Sequence, residues 1–370
     1  MSERLLSALV YGGLSFGALL AACDGLGKED DGLTREELGT FTADTGGAID
    51  VVADIPEGAV SSLVYCGPYG YDTLATAELI TSPDGATAYD MNDPSGTAMR
   101  VGILDDLLPM VVPVSPDLDI SSGAWNYRVY FDAESVTATC YGVYNTSGVG
   151  GEVNLNFVFV GADEVAPGLN ANEGETTLAT VVETVRGIWS AAGLDIGTIT
   201  YSDFDGDVDT YKVVDGDTEL GNLLREVPAP GDRSITFFFV QEVTDADGAT
   251  ILGLAGGPPG AAAVGGTSKS GVVVTTASFA EDPDEVARIM AHEGGHFLGL
   301  FHTTEKDGSS SDPLGDTPAC TMASDADGNG ILSTDECSGT GADNIMFWTG
   351  ANTDMSSDQG WVMTRSSAVQ

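Results

Sequence analysis

The chain has 370 residues, of which 42% are hydrophobic and 8% aromatic, so it is long enough for two folded domains and too apolar for a disordered chain. Its 57 Asp and Glu residues oppose 13 Lys and Arg residues, a formal net charge of −44 at pH 7. This balance excludes nucleic-acid binding, because contacts to phosphate need Lys and Arg. The carboxylates indicate a solvated acidic surface suited to a salty medium, and calcium binding is the functional alternative for some of them.

The amino-terminal segment 1–22 has the pattern of an export signal. Arg4 supplies a positive charge, the run from Leu5 to Ala22 is apolar and small, and Cys23 follows it directly. The segment resembles a bacterial lipoprotein signal, in which cleavage precedes a cysteine that becomes lipidated. The resemblance implies a membrane anchor at Cys23 and a place in the bacterial cell envelope outside the cytoplasm, on the outer membrane or cell surface or facing the periplasm. The alternative is an ordinary signal peptide that is followed by a cysteine by chance.

Four cysteines remain after residue 23, and an even number predicts two disulfides in an exported chain. Four cysteines allow three pairings. Pairing each cysteine with its nearer neighbour keeps each bridge within one proposed domain and gives Cys66–Cys140 and Cys320–Cys337. The functional alternative is a free Cys66 thiol that caps a metal ion and holds an enzyme latent.

Residues 23–40 are polar and acidic, which is typical of a tether. From 41 to 148, short runs rich in β-formers alternate with Pro, Gly, Asp and Ser clusters, and no helical period of useful length occurs. These runs include Ala59–Tyr65, Ala98–Ile103, Met110–Val114 and Trp125–Phe131. The pattern predicts an all-β sandwich accessory domain without chemistry of its own, used for spacing, shielding or substrate docking.

The pattern changes over residues 149–370 and predicts a second domain. Buried strands are expected at Val153–Val160, Ile196–Tyr201, Ser234–Val240 and Gly271–Thr276. Helices are expected at Thr176–Ala192, which has one apolar face, and at Asp284–Leu300, which has acids in its first turn. Strands and helices in this order predict an α/β (α+β) fold with a mixed sheet and an active-site helix.

The second predicted helix carries the sequence AHEGGHFLGLFH at 291–302. Residues four apart on a helix project from one face, so His292 and His296 can bind one Zn²⁺ at about 2.0–2.1 Å. Glu293 lies beside the first ligand, where it can act as general base on a water molecule at the metal. On a continuing helix His302 would point roughly 80° away from His292. The chain therefore has to turn, and Gly299 permits the turn because glycine adopts positive φ.

Three imidazoles would leave the fourth coordination position open, as in catalytic rather than structural zinc sites. The chain contains three histidines, and all three fall at ligand spacing within residues 292–302. The alternative is a chance period of ordinary helix histidines, which would make the full HExxHxxGxxH pattern a coincidence.

With these residues in place, the chain resembles the metzincins, zinc peptidases marked by HExxHxxGxxH and a later methionine turn. The matching turn is NIMFW at 344–348, in which Met346 would form an apolar floor beneath the imidazoles. Within this clan the chain is most similar to the pappalysins and their bacterial relatives. The similarity is carried by the Gly-rich stretch before GVVV, by HTTE and DPLGDTPAC after the third histidine, and by the NIM turn. It covers about residues 150–370.

The resemblance implies a metzincin-like fold for 149–370 and a zinc-dependent endopeptidase that hydrolyses peptide bonds of proteins outside the cytoplasm. In that mechanism the strand Gly271–Thr276 is a candidate free edge to which an extended substrate peptide adds. Two positions depart from the family pattern. Gly294 stands where the family usually has a bulky apolar residue, and Trp348 stands where many relatives carry a tyrosine that helps to bind the transition state.

The segment 325–336 fits the calcium-loop pattern D-x-[DN]-x-[DN]-G-x5-E at every position. The oxygen ligands expected from this pattern are Asp325, Asp327, Asn329, the Ile331 carbonyl, Ser333 and bidentate Glu336. The flanks lack the two helices of a full hand, so the pattern predicts a lone structural calcium loop closed by a Cys320–Cys337 bridge. The alternative is an acidic turn in an acid-rich chain.

Two rival functions remain open. One is a non-catalytic, calcium-stabilised surface lipoprotein or binding module that keeps a relic zinc site, against which Glu293 argues because a relic needs no base. The other is a zinc enzyme whose third ligand is a downstream Glu, against which His302 after Gly299 argues. The sequence predicts a protein or peptide substrate and a membrane as partners, and no oligomeric state follows from it.

Overall fold

A computed structural model describes residues 31–229, 231–244 and 249–370. The predicted lipoprotein signal 1–22, the predicted lipidation site Cys23 and the start of the predicted tether lie outside the described residues. Within the described ranges, no helix has the length and apolar character needed to cross a bilayer.

Two antiparallel sheets make up the first half of the described chain. Strands β1 to β9 are Leu33–Thr42, Ala48–Ile55, Ser61–Gly67, Leu74–Thr81, Thr87–Asp90, Leu104–Asp105, Leu108–Val112, Gly123–Phe131 and Thr137–Asn145. One sheet has the order β1-β9-β3-β7, and the other has the order β2-β8-β4-β5 with β6 paired to β4. Inward residues of both sheets share one buried core that includes Val64, Met110 and Trp125. This is the sandwich that the sequence predicts for the region.

The sandwich begins earlier than the sequence predicts. Residues 33–40, predicted as part of a tether, form most of β1, which pairs with β9 from Leu33↔Asn145 onward. The predicted strand Ala98–Ile103 is wrong. The backbone there is irregular, and strand pairing begins again only at β6. In both places strand pairing, rather than local composition, decides where a strand forms.

The second half contains a five-stranded sheet. Strands β10 to β17 are Glu152–Phe159, Asp195–Asp203, Val213–Asp215, Ser234–Val240, Glu242–Thr244, Thr250–Ile251, Gly253–Ala255 and Val272–Thr275. The larger sheet has the order β11-β10-β13-β17-β16, in which β16 pairs antiparallel to β17 and the other pairs are parallel. The short strands β12, β14 and β15 form a separate sheet.

Helices in the described residues are few and mostly short. Helices α1 to α6 are Gly174–Thr177, Ala179–Ser190, Val208–Tyr211, Gly216–Leu224, Pro283–Phe297 and Ser357–Met363. Single 3₁₀ turns occur at Pro94–Gly96, Ala162–Glu164 and Met322–Ser324.

The predicted fold class, α/β (α+β) with a metzincin-like domain, is wrong. The described chain is mostly β-sheet, with four sheets, 32% strand and 18% helix. Two physical reasons explain the error. Helices α2 and α5 are shorter than predicted, with 12 and 15 residues, and the backbone beyond Leu300 is largely irregular before α6. The two antiparallel sheets of the first half, which the sequence did predict, supply most of the strand residues of the described chain.

Helices α2 and α5 pack against each other and against one face of the five-stranded sheet. Trp189 of α2 is fully buried, and its Nε1–H donates to the Ala291 carbonyl of α5 at 3.2 Å. A Cβ atom at Gly294 would lie 2.6 Å from the Trp189 ring and 3.3 Å from Phe237. The indole of Trp189 thus occupies the space that a side chain at position 294 would need.

We expect Gly294→Ala to destabilise the protein relative to Gly187→Ala by about 1–3 kcal/mol, the usual cost of overpacking a core. Both changes gain about 1 kcal/mol of helix propensity. A Cβ at Gly187 on α2 meets no atom within 4 Å, so that variant supplies the matched control. Urea unfolding of both variants measures the difference. Equal stabilities would show that the Trp189 ring moves aside at no cost.

Two of the scarce cations join the sandwich to the second half. Arg225 pairs with Asp106, which is 3% exposed and also accepts a hydrogen bond from Ser268 Oγ at 2.7 Å. Lys269 Nζ lies 2.8 Å from Asp105 Oδ1, and these side chains are 11% and 15% exposed. Because removal of one partner from a buried pair leaves an uncompensated charge, these contacts fix the junction between the halves.

Both disulfides form in the pairing that locality favours. Cys66 and Cys140 stand directly opposite each other on β3 and β9, and both are fully buried. Cys320 and Cys337 close a segment of the second half. The bridge of Cys66 leaves no thiol at that position to cap a metal, so the latency alternative for Cys66 is wrong.

Candidate metal centre

Helix α5 positions the first two histidines. Asp282 caps its amino terminus by accepting the Glu285 N–H at 3.0 Å, and Pro283 occupies the first turn, where its missing N–H costs nothing. The spacing of four then turns His292 and His296 to one face, and both are less than 8% exposed. These two rings are therefore buried in the second half.

The turn after α5 brings in the third histidine. The helix ends at Phe297, and the Leu300 N–H donates to the Gly295 carbonyl at 2.9 Å. Gly299 adopts φ = 109°, which an L-residue with a side chain rarely takes. The chain reverses at this glycine and places His302 over the ends of the other two rings, as the sequence predicts.

The Nε2 atoms of the three rings converge. His296 Nε2 lies 3.2 Å from His292 Nε2 and 3.0 Å from His302 Nε2, and the third separation is 3.3 Å. Two nitrogens that are each about 2.05 Å from a tetrahedral zinc lie about 3.3 Å apart. The spacing of the rings therefore suits a single tetrahedral ion.

The partners of the opposite ring nitrogens allow the tautomer to be assigned. Each Nδ1 faces an oxygen that only accepts hydrogen bonds: Ile345 O at 2.7 Å, Leu300 O at 2.8 Å and Glu305 Oε2 at 2.9 Å, for His292, His296 and His302 respectively. The proton of each neutral ring is thus assigned to Nδ1, which leaves Nε2 as a bare lone pair. Three lone pairs within 3.3 Å repel one another unless a cation lies between them. The donor set fits a divalent metal ion.

Burial keeps the helix histidines neutral. Desolvation lowers the pKa of His292 to about 4, against a smaller opposing effect of its bond to Ile345 O. Desolvation also lowers the pKa of His296 well below its usual value, and the neighbouring imidazoles add to the effect. Neutral imidazole is the form that binds metals, so the site is competent at neutral pH.

Glu293 lies beside the cluster at the edge of the sheet. It is 8% exposed, and its Oε2 accepts the Ala255 N–H of β16 at 2.9 Å. Burial raises the pKa of Glu293 to about 7, opposed in part by the bond from Ala255. A Cβ at Gly253 would lie 3.1 Å from Glu293 Cγ, so a glycine there lets the carboxylate approach the strand. A carboxyl group with such a pKa can take up and release a proton near neutral pH.

Met346, predicted to form an apolar floor beneath the imidazoles, lies against helix α5. Met346 is fully buried, and a Cβ at Gly295 would come within 2.7 Å of its Sδ. Its N–H donates to Asn344 Oδ1 at 2.8 Å, and its carbonyl accepts the Thr303 N–H at 2.9 Å. Met346 thus packs under α5 and ties the segment after His302 to the turn.

Trp348, predicted as a departure from the metzincin pattern, is bonded to the loop 325–336. Its Nε1–H donates to the Leu332 carbonyl at 2.7 Å, and Lys306 Nζ lies 5.4 Å from its ring centroid. The indole N–H is therefore engaged with the loop 325–336 rather than free at the metal cluster. Trp348 connects this loop to the methionine turn.

The candidate free edge at Gly271–Thr276 is wrong. Strand β17 is flanked by β13 on one side and by β16 on the other. The open edge belongs to β16 instead. The Gly256 N–H donates to Gly271 O, towards β17, and backbone groups alternate in direction along a strand. The Ala255 N–H therefore points outward, where Glu293 meets it.

The predicted calcium loop brings three of its six expected ligands together. Carboxylate oxygens of Asp325, Asp327 and Glu336 lie within 4.8 Å of one another. Asn329 turns its Oδ1 to the Ile331 N–H at 2.7 Å, and Ser333 Oγ donates to Glu336 Oε2 at 2.7 Å. Hydrogen bonds from the Ser333 hydroxyl, and then from the Ser333 and Ala326 N–H groups, lower the pKa of Glu336 to about 2. The loop is ordered around an acidic centre.

Sequence reasoning missed three participants in this region. Glu305 accepts the Nδ1 proton of His302, Ala255 binds Glu293 through its backbone, and Leu332 bonds to Trp348 and Lys306. Only Glu305 left a signal, since a carboxylate three residues beyond a metal-ligating histidine can reach back to the ring. Backbone contacts leave none.

Comparison with known proteins assigns no family. No family model matches the chain, and no curated protein matches it. Among solved structures, a chaperone–substrate complex matches with a TM-score of 0.29 and 15% identity, over 43% of this chain and 25% of that one. Metalloproteinase-II from Bacteroides fragilis matches with a TM-score of 0.26 and 18% identity, over 45% of this chain and 49% of that one. The chain thus spans half or less of the length of each, and likeness this weak carries no argument about function.

Proposed function

We propose that the chain is a zinc-dependent endopeptidase that acts on proteins or peptides outside the cytoplasm. One observation carries the proposal: three bare imidazole nitrogens converge within 3.3 Å, with the buried carboxyl of Glu293 beside them. The HExxHxxGxxH pattern, which resembles that of the metzincins and their pappalysin branch, supports the same chemistry. The paired cysteines agree with a location outside the cytoplasm.

His292, His296 and His302 would hold the zinc ion through Nε2. When bound there, zinc would supply Lewis-acid polarisation of the scissile carbonyl and a lowered pKa for an attacking water molecule. Glu293 accepts the proton of that water and passes it to the leaving amine. The Ala255 N–H orients the carboxylate for both transfers. The Met346 side chain keeps the floor of the site apolar and excludes water from below.

The open edge of β16 supports a peptide as the substrate. An extended peptide can add to an exposed strand edge through main-chain hydrogen bonds, with affinity that depends little on its side chains. Glu293 already lies on this edge, bonded to the Ala255 N–H. A peptide strand that adds along β16 therefore runs past the general base.

Calcium and a lipid anchor complete the proposal. The loop 325–336 is proposed to bind Ca²⁺ through the ligands that its pattern predicts, because three of its carboxylates already converge. Its fully buried Leu332 donates its N–H to the Lys306 carbonyl at 2.9 Å and accepts from Trp348. The loop therefore supports both segments that flank the metal cluster. Cys23 is proposed to tether the enzyme to the bacterial envelope.

The test measures metal content and cleavage together. We expect the mature chain to bind one equivalent of zinc at the histidine cluster and to cleave casein or a quenched peptide. Removal of the zinc with a chelator should abolish cleavage, and added zinc should restore it. A chain that binds zinc at this cluster yet cleaves nothing would instead be the non-catalytic binding module.

A further inference from the structure

The three histidines differ in the partner of their second nitrogen. His292 and His296 each donate Nδ1–H to a backbone carbonyl, whereas His302 donates to the Glu305 carboxylate at 2.9 Å. A neutral carbonyl orients a ring, but an anion also makes the ring a stronger electron donor. Among the three rings of the described cluster, His302 is therefore the one whose partner both orients the imidazole and places a negative charge beside it.

The orientation of the His302 ring is also less restrained by the backbone than that of the other two rings. Helix α5 fixes His292 and His296, while His302 follows the Gly299 turn on irregular backbone, with its side chain 22% exposed. The backbone directly after His302 is anchored, since the Thr303 N–H donates to Met346 O and Thr304 forms a bridge with Phe347. What these contacts leave undetermined is the rotation of the imidazole, and Glu305 supplies that restraint.

The backbone and neighbours of Glu305 leave its carboxylate directed to His302. Its backbone is held in a turn, because its N–H donates to Ser310 O at 3.0 Å and its carbonyl accepts the Gly308 N–H at 2.8 Å. The adjacent Lys306 directs its ammonium group to the Trp348 ring, 5.4 Å from the centroid, instead of to Glu305. The side chain of Glu305 is 41% exposed, so it remains solvated while it bonds the ring.

We propose that Glu305 is a positioning residue that tightens zinc binding by holding His302 as the Nδ1–H tautomer and by increasing the basicity of its Nε2. This inference rests on the proposed zinc site. Glu305 makes no contact with substrate in the proposal and acts only through His302. Its charge, rather than its ability to accept a hydrogen bond, distinguishes it from the carbonyls that serve the other rings.

The experiment compares zinc affinities by competition with a chromophoric chelator at constant pH. Loss of a carboxylate behind a metal-ligating histidine typically weakens metal binding about 10–100-fold. We expect that loss for Glu305→Gln, which keeps an oxygen acceptor but removes the charge, and for Glu305→Ala. The matched control is Asp307→Asn, which removes the same charge two residues away, where Asp307 bonds only its own turn through the Ser309 N–H at 3.0 Å. That variant should bind zinc within about threefold of the parent.

Thermal unfolding of the metal-free proteins separates positioning from folding. We expect metal-free Glu305→Gln to unfold at the temperature of the metal-free parent, so that its defect is confined to the metal. Parent-like zinc affinity in Glu305→Gln would overturn the inference, whether or not Glu305→Ala binds more weakly. If the parent itself failed to bind zinc, the proposed function would fall instead, and the two failures are therefore distinguishable.

Discussion

Replacing Glu293 with Gln should lower kcat/KM for peptide cleavage by about 10²–10⁴-fold while zinc content stays at one equivalent. General base catalysis typically contributes a factor of that size. The amide oxygen of Gln can still accept the Ala255 N–H, so the side chain keeps its place at the edge of β16. The three histidines are untouched, and none of their Nδ1 atoms bonds to Glu293. Steady-state kinetics on a quenched peptide, with zinc measured on the same samples, checks both halves of this expectation.

The control for this variant is Glu281→Gln, the same chemical change at an exposed position just before α5. It should leave cleavage and zinc content at parental values. A Glu293→Gln enzyme that kept more than about a tenth of the parental kcat/KM would mean that another group accepts the proton. A variant that lost its zinc would mean that the carboxylate supports the metal cluster itself.

Calcium should raise both the stability and the activity of the zinc-loaded protein. Single calcium loops of extracellular modules bind with Kd of about 10⁻⁴–10⁻³ M, and ligand at 100 times Kd contributes about 2.7 kcal/mol. This corresponds to about 5–10 °C in Tm for a domain of 150–250 residues. Because Leu332 bonds to Lys306 and Trp348, ordering of the loop should also increase cleavage by at least about fivefold, within the usual range of coupling between sites.

Glu336→Gln should remove both responses, since the bidentate carboxylate is the last ligand of the pattern. The neighbouring Asp335→Asn is the matched control, because Asp335 is exposed and stands outside the ligand positions. Calcium titrations in zinc-saturated, calcium-depleted buffer, followed by thermal unfolding and by cleavage, should give one common midpoint. A rise in Tm without any change in cleavage would confine calcium to a structural contribution.

The local chemistry of the candidate site could be predicted from the sequence, because it depends on short-range geometry. Spacing of four on a helix brings His292 and His296 together, and a positive-φ glycine at Gly299 returns His302 to them. Near-neighbour pairing likewise predicted both disulfides. The histidine cluster and the Cys320–Cys337 bridge needed only residues close in the chain, whereas Cys66 and Cys140 are 74 residues apart.

The rest depended on contacts between distant segments, which local patterns do not encode. The fold class was wrong because periodicity overestimated helices α2 and α5 and did not show that the backbone beyond Leu300 is largely irregular. The free edge was assigned to β17 because the short, Gly-rich β16 carries almost no strand signal. The reason for a glycine at position 294 depends on Trp189, which lies 105 residues earlier and whose ring occupies the space beside the Gly294 Cα.

The ion pairs Arg225–Asp106 and Lys269–Asp105 determine how the stability of the protein should depend on salt concentration. Mobile ions screen exposed charges over about 8–10 Å at moderate ionic strength, but they screen buried pairs far less. Added salt therefore relieves the mutual repulsion among the 57 acidic residues, while the largely buried contacts between the two halves persist. A protein built in this way gains resistance to unfolding as ionic strength rises, whereas one held together by superficial ion pairs would lose it.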